Sequence, residues 1–498
     1  MNIDEFCIDT ENFLSKIDKE YYLHFAGLKQ ELNLKTIYDE YPQLFSSGTV
    51  IFFKDLFNKS EGENRKKAKH LFGFSAEGYM GNRFAHIADR IANNEASSKI
   101  EIDGKDVSFR YSDIILSNEE DHGKRRLIED KRLKVTAEVF NPDLVRYWES
   151  LHEEAENFGY KNYADMFMNV KGFDFYKLEK EMDMLVKATD SLYREHMGRL
   201  FQEKLNISLE GSGASDFAFI KRAKEFDMFF KKERLVPIFK DTMRMAGIDI
   251  DTQSNIIMDV EERENKSPRA FCATVRVPSE IYLVVMPAGG QDDYQAMFHE
   301  GGHAEHFANT RENLDIAYKY LGDSAVTEGY AFCLENLAWD RNWLIDVLGM
   351  NSEAADDFTY FSSIINLFFL RRYACKLKYE LLLHSEKKIK DKDTAYSDLL
   401  TSNLVMKYYP ENYLKDVDES FYCTNYIRAW IFEAQVKEYM LNKFGYKWYK
   451  NKKAGDFLKE IWSYGMKYSP EEVLGFLDYK GLDISYLMNN TINLLKGR

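Results

Sequence analysis

The chain has 498 residues, 45% of them hydrophobic and 30% charged, which is typical of a globular protein with room for several lobes. Its formal net charge of -15 argues against nucleic acid as a partner, because binding phosphates needs a basic surface. Five cysteines without a C-x-x-C pair, no secretory signal and no apolar run long enough for a membrane span lead us to expect a cytoplasmic protein that does not act at a membrane. The charge also favours neutral or cationic substrates, although solubility alone explains it.

Apolar residues at helical spacing dominate residues 1–210, which we interpret as an N-terminal helical lobe. The Asp-Gly pair at 103–104 stands between two alternating runs and predicts a small β-hairpin near 99–110. Asn141 before Pro142 has the form of a helix N-cap. The other predicted helices of this lobe include Asp18–Leu34, Glu63–Ala96 and a long helix from Asp174.

Gly211-Ser212-Gly213 interrupts the helical pattern and marks the predicted start of a second lobe, residues 211–498. Runs rich in Ile, Val, Thr and Tyr predict a small sheet within 256–286, followed by a helix over 291–309. The predicted strands are Ile256–Glu261, Ala270–Val277 and Glu280–Met286. The predicted C-terminal helices are Ser324–Leu348, Ser352–His384, Thr394–Lys407, Ser420–Phe444 and Pro470–Leu477.

The helix at 291–309 contains His299-Glu300-Gly301-Gly302-His303. Residues four apart lie on one face of a helix, so the two imidazoles point at one place. With a glutamate after the first histidine, this is the H-E-x-x-H arrangement of zinc peptidases, in which the glutamate is the general base. The two glycines cost about 1 kcal/mol each in a helix, which indicates either a close approach of backbone or substrate, or close helix packing.

A catalytic zinc ion needs a third protein ligand. Asn309 stands where a metzincin has its third histidine, which excludes that subclass. Glu328 lies on a helix predicted to start at Ser324, after a helix–turn–helix return of suitable length, and is the alternative ligand. Glu335 lies two turns further on the same face, where it could fix the tautomer of a ligating histidine or be an ordinary carboxylate. His306 lies one turn past His303, at the rim of the site or in the packing.

These residues resemble the thimet oligopeptidase and oligoendopeptidase F family of zinc metallopeptidases. The segment HEGGHAEH is similar to that family's H-E-x-G-H-x-x-H, and Glu328, Glu335 and Asn336 match its E-x6-E-N. The run KSPRAFC at 266–272 resembles the loop and strand before its metal helix. The resemblance is specific over about 266–336 and weak outside that range.

The resemblance implies a mainly α fold: a large two-lobed helical body with a deep central cleft, closed like a clamshell, and a small β-sheet beside the zinc helix. It implies one Zn²⁺ per chain, held by His299, His303 and Glu328, with Glu300 as the base. It also implies a phenol that donates to the scissile carbonyl, here Tyr422 or Tyr426, which lie four apart. The family's histidine in that segment has no counterpart, since this chain has none after His384.

Three further residues are candidates for substrate binding. The strand at 279–286, together with Gly289 and Gly290, is expected to bind an extended peptide, with bracing of the helix as the structural alternative. Arg428 is expected either to hold a substrate carboxylate or to form a structural ion pair.

The sequence therefore predicts a zinc metallopeptidase that hydrolyses oligopeptides. Two alternatives stay open at this point. One is a zinc carboxypeptidase of related helical fold, and the other is a catalytically silent helical protein that binds peptides.

Overall fold

The computed structural model describes residues 1–263, 265–386, 388–389 and 391–496. The fold is mainly α, as predicted, with two small sheets among the described residues. The chain forms two compact units, each built from separate stretches of sequence. The first unit comprises residues 1–79, 224–360 and 428–487, and the second comprises 80–223, 361–427 and 488–498.

This division differs from the predicted boundary at 210/211. Most passages from one unit to the other occur inside continuous helices, so that no linker composition marks them. Gly211-Ser212-Gly213 does interrupt the helices, but both sides of it belong to the second unit. The helices that continue from one unit into the other are Gly62–Ser97, Ser352–His384, Cys423–Phe444 and Ile484–Leu495.

The first unit is helical around one sheet. Its own helices of seven or more residues are Ile3–Phe25, Leu34–Glu40, Ser47–Lys59, Lys232–Met245, Gln291–Ala308, Ser324–Glu335, Lys452–Trp462 and Pro470–Phe476. Shorter helical pieces are Lys224–Phe226, Ile250–Thr252, Ile316–Lys319, Asn336–Trp339, Arg341–Trp343, Leu344–Leu348 and Trp448–Lys450. The helix Ile3–Phe25 begins before the predicted Asp18, because Asn2 caps it and Phe6, Phe13 and Ile17 give it a buried face.

The sheet of the first unit has three strands in the order Ile256–Asp259, Glu280–Val284, Phe271–Arg276. The central strand Glu280–Val284 pairs in parallel with the first and antiparallel with the last. Its last four residues are buried, as suits a strand covered on both faces. Tyr22 and Ala26 pack against the sheet in one apolar cluster. The predicted sheet beside the helix at 291–309 is therefore present.

The second unit holds the β-hairpin. Strands Lys99–Ile102 and Lys105–Ser108 pair antiparallel, and the turn residues Asp103 and Gly104 both have positive φ. That backbone twist matches a two-residue turn and confirms the predicted hairpin. The helices of this unit, apart from the shared ones, are Tyr111–Asn118, His122–Val135, Thr136–Phe140 (a π-helix), Asn141–Asn157, Tyr163–Lys171, Phe175–Ala188, Asp190–Leu205, Ala214–Lys221 and Asp393–Leu404, with short pieces at Pro410–Asn412 and Glu419–Phe421.

Asn141 does not start a helix as predicted. The helix His122–Val135 continues through a π-helical turn at Thr136–Phe140 directly into Asn141–Asn157, so Asn141 has helical backbone angles. Its side-chain amide donates instead to the carbonyl of Glu411 at 2.8 Å. Among the described residues, every helix is too short or too polar to cross a lipid bilayer.

Candidate metal centre

The helix Gln291–Ala308, called the HEGGH helix below, has a firmly held start. Asp293 accepts the N–H groups of Ala288 and Gly289 at 2.6 and 2.5 Å, and the N–H of Gly290 donates to the carbonyl of Phe230 at 2.8 Å. Gly289 and Gly290 both have φ above 90°, a backbone conformation that glycine adopts at low cost.

These contacts bear on the predicted peptide-binding role of this segment. The N–H groups of Gly289 and Gly290 are already used inside the protein. The strand Glu280–Val284 is the central one, so both of its edges are paired and neither can accept a peptide as an added strand. The alternative role, bracing the helix, is what the structure shows. The strand Phe271–Arg276 is one of the two outer strands of this sheet.

The two glycines of the motif bring neighbouring helices close. A Cβ added to Gly302 would lie 2.6 Å from the Cα of Ala331 in the helix Ser324–Glu335, called the Glu328 helix below. A Cβ on Gly301 would lie 2.3 Å from the Phe239 ring. Close helix packing therefore accounts for both glycines. It also explains how Glu328 reaches the two histidines.

Three side-chain atoms converge between these helices. The Nε2 atoms of His299 and His303 lie 3.2 Å apart, and Glu328 Oε2 lies 3.4 Å from the first and 3.7 Å from the second. Zinc bonds to nitrogen and oxygen are about 2.0–2.1 Å long, so two ligands of a tetrahedral ion lie about 3.4 Å apart. The three separations thus match one face of a zinc coordination tetrahedron.

The other ring nitrogens are each held by a neighbour. His299 Nδ1 lies 2.7 Å from Glu335 Oε2, the contact that the spacing of Glu335 suggested. His303 Nδ1 lies 2.8 Å from Thr327 Oγ1. A protonated Nδ1 that donates to such a partner leaves the Nε2 lone pair for a metal. Thr327 did not emerge from the sequence, because a threonine beside a glutamate gives no signal until its helix is docked.

The two histidines differ in their electrostatic surroundings. Burial alone would lower the pKa of His299, but the carboxylates of Glu328 and Glu335 raise it well above its ordinary value. Burial lowers the pKa of His303 to about 4. A partly buried histidine pair beside a buried carboxylate, with the two Nε2 atoms facing each other, is a donor set suited to a divalent cation.

Glu300 lies on the same helix and faces the strand Phe271–Arg276. Burial raises the pKa of its carboxyl to about 7, and the nearby charge of His299 opposes this rise. The backbone N–H of Cys272 faces the same carboxyl and also opposes it. A carboxylate whose pKa is near neutrality can both accept and return a proton, as a general base must.

His306 is fully buried rather than at a rim. Its ring lies 4.8 Å from that of Phe307 and 5.0 Å from that of Tyr330, measured between centroids. Burial lowers its pKa to about 3, which keeps it neutral. Of the two roles considered for it, packing is the one that these contacts describe.

Tyr422 and Tyr426 belong to the second unit, whereas the histidines and Glu328 belong to the first. Both tyrosines are partly exposed, and their rings lie 5.3 Å apart at the start of the helix Cys423–Phe444. The two residues before them, Ser420 and Phe421, have positive φ, a strained conformation for residues other than glycine. The role of either tyrosine toward a substrate stays a prediction.

Arg428 lies in the first unit between two carboxylates. One guanidinium nitrogen is 2.9 and 2.7 Å from the oxygens of Asp323, and another is 3.0 and 2.9 Å from those of Glu471. Arg428 is 3% exposed and both of its sides are paired, so a substrate carboxylate would have to displace one of these two partners. The structural ion pair is thus the role that these contacts describe.

A second group with metal-ligand chemistry lies in the second unit. Glu380, Asp418 and Cys423 bring ligand atoms within 4.8 Å of one another. The ammonium group of Lys376 lies 2.8 Å from Asp418 and 4.0 Å from Glu380, and the thiol of Cys423 donates to Glu380 at 3.1 Å. Lys376 already supplies the positive charge there, so we assign no metal to this group.

A scan against protein-family models and a search of curated proteins each give no match for this chain.

Proposed function

We propose that this protein is a zinc-dependent metallopeptidase that hydrolyses oligopeptides. The observation that carries the proposal is the arrangement of His299 Nε2, His303 Nε2 and Glu328 Oε2, whose separations of 3.2, 3.4 and 3.7 Å fit one tetrahedral zinc ion. The similarity of the HEGGH and Glu328 segments to oligoendopeptidases supports the same function. These three ligands would hold one zinc ion per chain.

Zinc bound by these residues would supply a Lewis acid that makes a water molecule acidic enough to attack a peptide carbonyl near neutral pH. Glu300 accepts the proton of the attacking water and passes it to the amine that leaves. Its carboxyl suits this exchange, because burial raises its pKa to about 7. Glu335 and Thr327 keep the two imidazoles in the tautomer that presents Nε2.

The resemblance adds a phenol from Tyr422 or Tyr426 as a donor to the oxyanion. The partners that we propose are short peptides, without nucleic acid or membranes. The five cysteines are free thiols, which suits the reducing conditions of the cytoplasm.

Product mapping tests this function directly. The purified protein is incubated with a mixed peptide library, with and without a zinc chelator, and the products are identified by mass spectrometry. We expect cleavage that the chelator abolishes and zinc restores. Internal cuts would identify an oligoendopeptidase, and removal of C-terminal residues alone a carboxypeptidase. Intact peptides with a stoichiometric zinc ion would contradict the proposal.

A further inference from the structure

The outer edge of the strand Phe271–Arg276 faces two carboxyl groups in place of a neighbouring strand. The N–H of Cys272 faces Glu300, and the N–H of Thr274 faces Asp18 of the helix Ile3–Phe25. Residues two apart in a strand present their N–H groups to the same side. Asp18 and Glu300 therefore lie along one edge of this strand.

Asp18 is held in place by this strand. Its Oδ2 accepts the hydroxyl of Thr274 at 2.7 Å, a contact that fixes the carboxyl group at the strand edge. Asp18 as a residue is partly exposed. The surrounding protein raises its pKa through burial, although both hydrogen bonds from Thr274 oppose the rise.

The charge of Asp18 is not balanced by an ion pair within the described part of the chain. Lys19, the next residue, binds Glu280 at 2.9 Å. A carboxylate kept in a desolvated position without a cationic partner is costly. A cation brought by a ligand would remove that cost, which makes this position a candidate binding site for a positive group.

The position of Asp18 also sets the distance between a group that it binds and the bond on which Glu300 acts. Two residues of an extended strand span about 6.8 Å, so Asp18 lies roughly that far along the edge from the point that Glu300 occupies. An extended peptide has the same repeat. A substrate group held by Asp18 is thus separated by about two residues from the bond on which Glu300 acts.

We propose that Asp18 binds a positively charged group of the peptide substrate, either its terminal ammonium or a lysine or arginine side chain, about two residues from the scissile bond. This inference rests on the proposed peptidase function and adds a substrate class to it. The net charge of -15 acts in the same direction, since it attracts cationic peptides.

The test compares four peptides of one sequence in wild-type protein and in Asp18→Asn. The peptides carry a lysine or a norleucine at a position two residues from the mapped cleavage site, each with a free or an acetylated N-terminus. Asparagine keeps an acceptor for Thr274 but has no charge. Asp55→Asn, in the exposed part of the helix Ser47–Lys59, removes the same charge elsewhere in the first unit and serves as the control.

We expect wild-type protein and Asp55→Asn to prefer one of the charged peptides over its neutral counterpart by about tenfold in kcat/KM, and Asp18→Asn to lose this preference. If the preference follows the lysine, Asp18 binds the side chain. If it follows the free N-terminus, Asp18 binds the terminal ammonium group. Equal preferences in Asp18→Asn and wild type, or a wild-type enzyme that cleaves all four peptides equally, would overturn the role of Asp18. A wild-type enzyme without the preference overturns this role even if the variant fails to fold. Zinc-loaded wild-type protein that cleaves none of a diverse peptide library would instead overturn the peptidase function, and this inference with it.

Discussion

The hydroxyl oxygen of Thr327 lies 2.8 Å from Nδ1 of His303, and Thr327 directly precedes Glu328 in the chain. One turn of the Glu328 helix thus supplies both a ligand atom and the partner that orients another ligand. Burial lowers the pKa of His303 to about 4, so the ring is neutral near pH 7 and its tautomer depends on this hydrogen bond.

Replacing Thr327 by valine should therefore weaken zinc binding by about 10- to 100-fold, the usual effect of losing a residue that orients a ligand. Valine keeps the shape of threonine without the hydroxyl. Thr327→Ser keeps the hydroxyl and is the matched control. Zinc affinity measured by competition with a chelator checks this expectation, and equal affinities for valine and serine variants would show that the hydrogen bond is dispensable.

Gly302→Ala should separate the HEGGH helix from the Glu328 helix, because the new Cβ would lie 2.6 Å from the Cα of Ala331. We expect a loss of about 1–3 kcal/mol in unfolding free energy, together with weaker zinc binding. Gly198→Ala is the control, since a Cβ at this helical glycine meets nothing within 4 Å and alanine favours the helix by about 1 kcal/mol. Denaturant unfolding gives the free energy of unfolding of both variants. If both variants were stabilised, or both destabilised, the packing account would be contradicted.

Arg428→Met should destabilise the first unit by about 3–5 kcal/mol, because it leaves Asp323 and Glu471 without their shared cation. Arg428→Lys, which keeps the charge but loses the paired geometry, should lose less. The structural role predicts an unchanged ratio of kcat/KM for peptides with free and amidated C-termini in the lysine variant. A ratio that falls toward one in that variant would instead support contact with a substrate carboxylate.

Glu305 gives a prediction about pH. It is fully buried, and burial raises the pKa of its carboxyl from 4.5 to about 7 despite hydrogen bonds from Gln253 and Asn309. Because the folded state binds this proton more tightly, the stabilisation is complete below pH 4.5 and is lost as pH rises through about 7.

Glu305→Gln should remove that dependence while keeping an acceptor for Gln253 and Asn309. The variant should match wild type at pH 5 or below and be more stable at pH 8, by up to about 3 kcal/mol. Urea unfolding at both pH values checks this, with Asp55→Asn as a control for charge. Parallel pH profiles in wild type and Glu305→Gln would show that Glu305 does not titrate in this range.

The features that follow local patterns could be predicted from the sequence. Helical spacing placed His299 and His303 on one face, and the Asp103-Gly104 pair marked the hairpin, because both depend on neighbours in the chain. Glu328 could also be predicted as the third ligand, because the number of residues between His303 and Glu328 suits a helix–turn–helix return. These parts of the fold and site need little knowledge of tertiary packing.

Features that depend on distant segments were missed or misplaced. Thr327 and Asp18 acquire their meaning only when separate elements dock, and Arg428 could not reveal its partners Asp323 and Glu471 in advance. The central position of Glu280–Val284 in the sheet is likewise set by pairing rather than by composition. Most of the unit boundaries could not be predicted from composition, because they fall inside continuous helices.

The most direct test of the zinc peptidase proposal measures bound zinc and peptide turnover together in wild type, His303→Ala and Glu300→Gln. We predict one zinc ion per chain with turnover in wild type, and loss of both in His303→Ala. Glu300→Gln should retain its zinc but lose turnover by at least about 100-fold, because the base that accepts the proton of water is gone. Unchanged peptide cleavage by Glu300→Gln, or full zinc content in His303→Ala, would contradict the account.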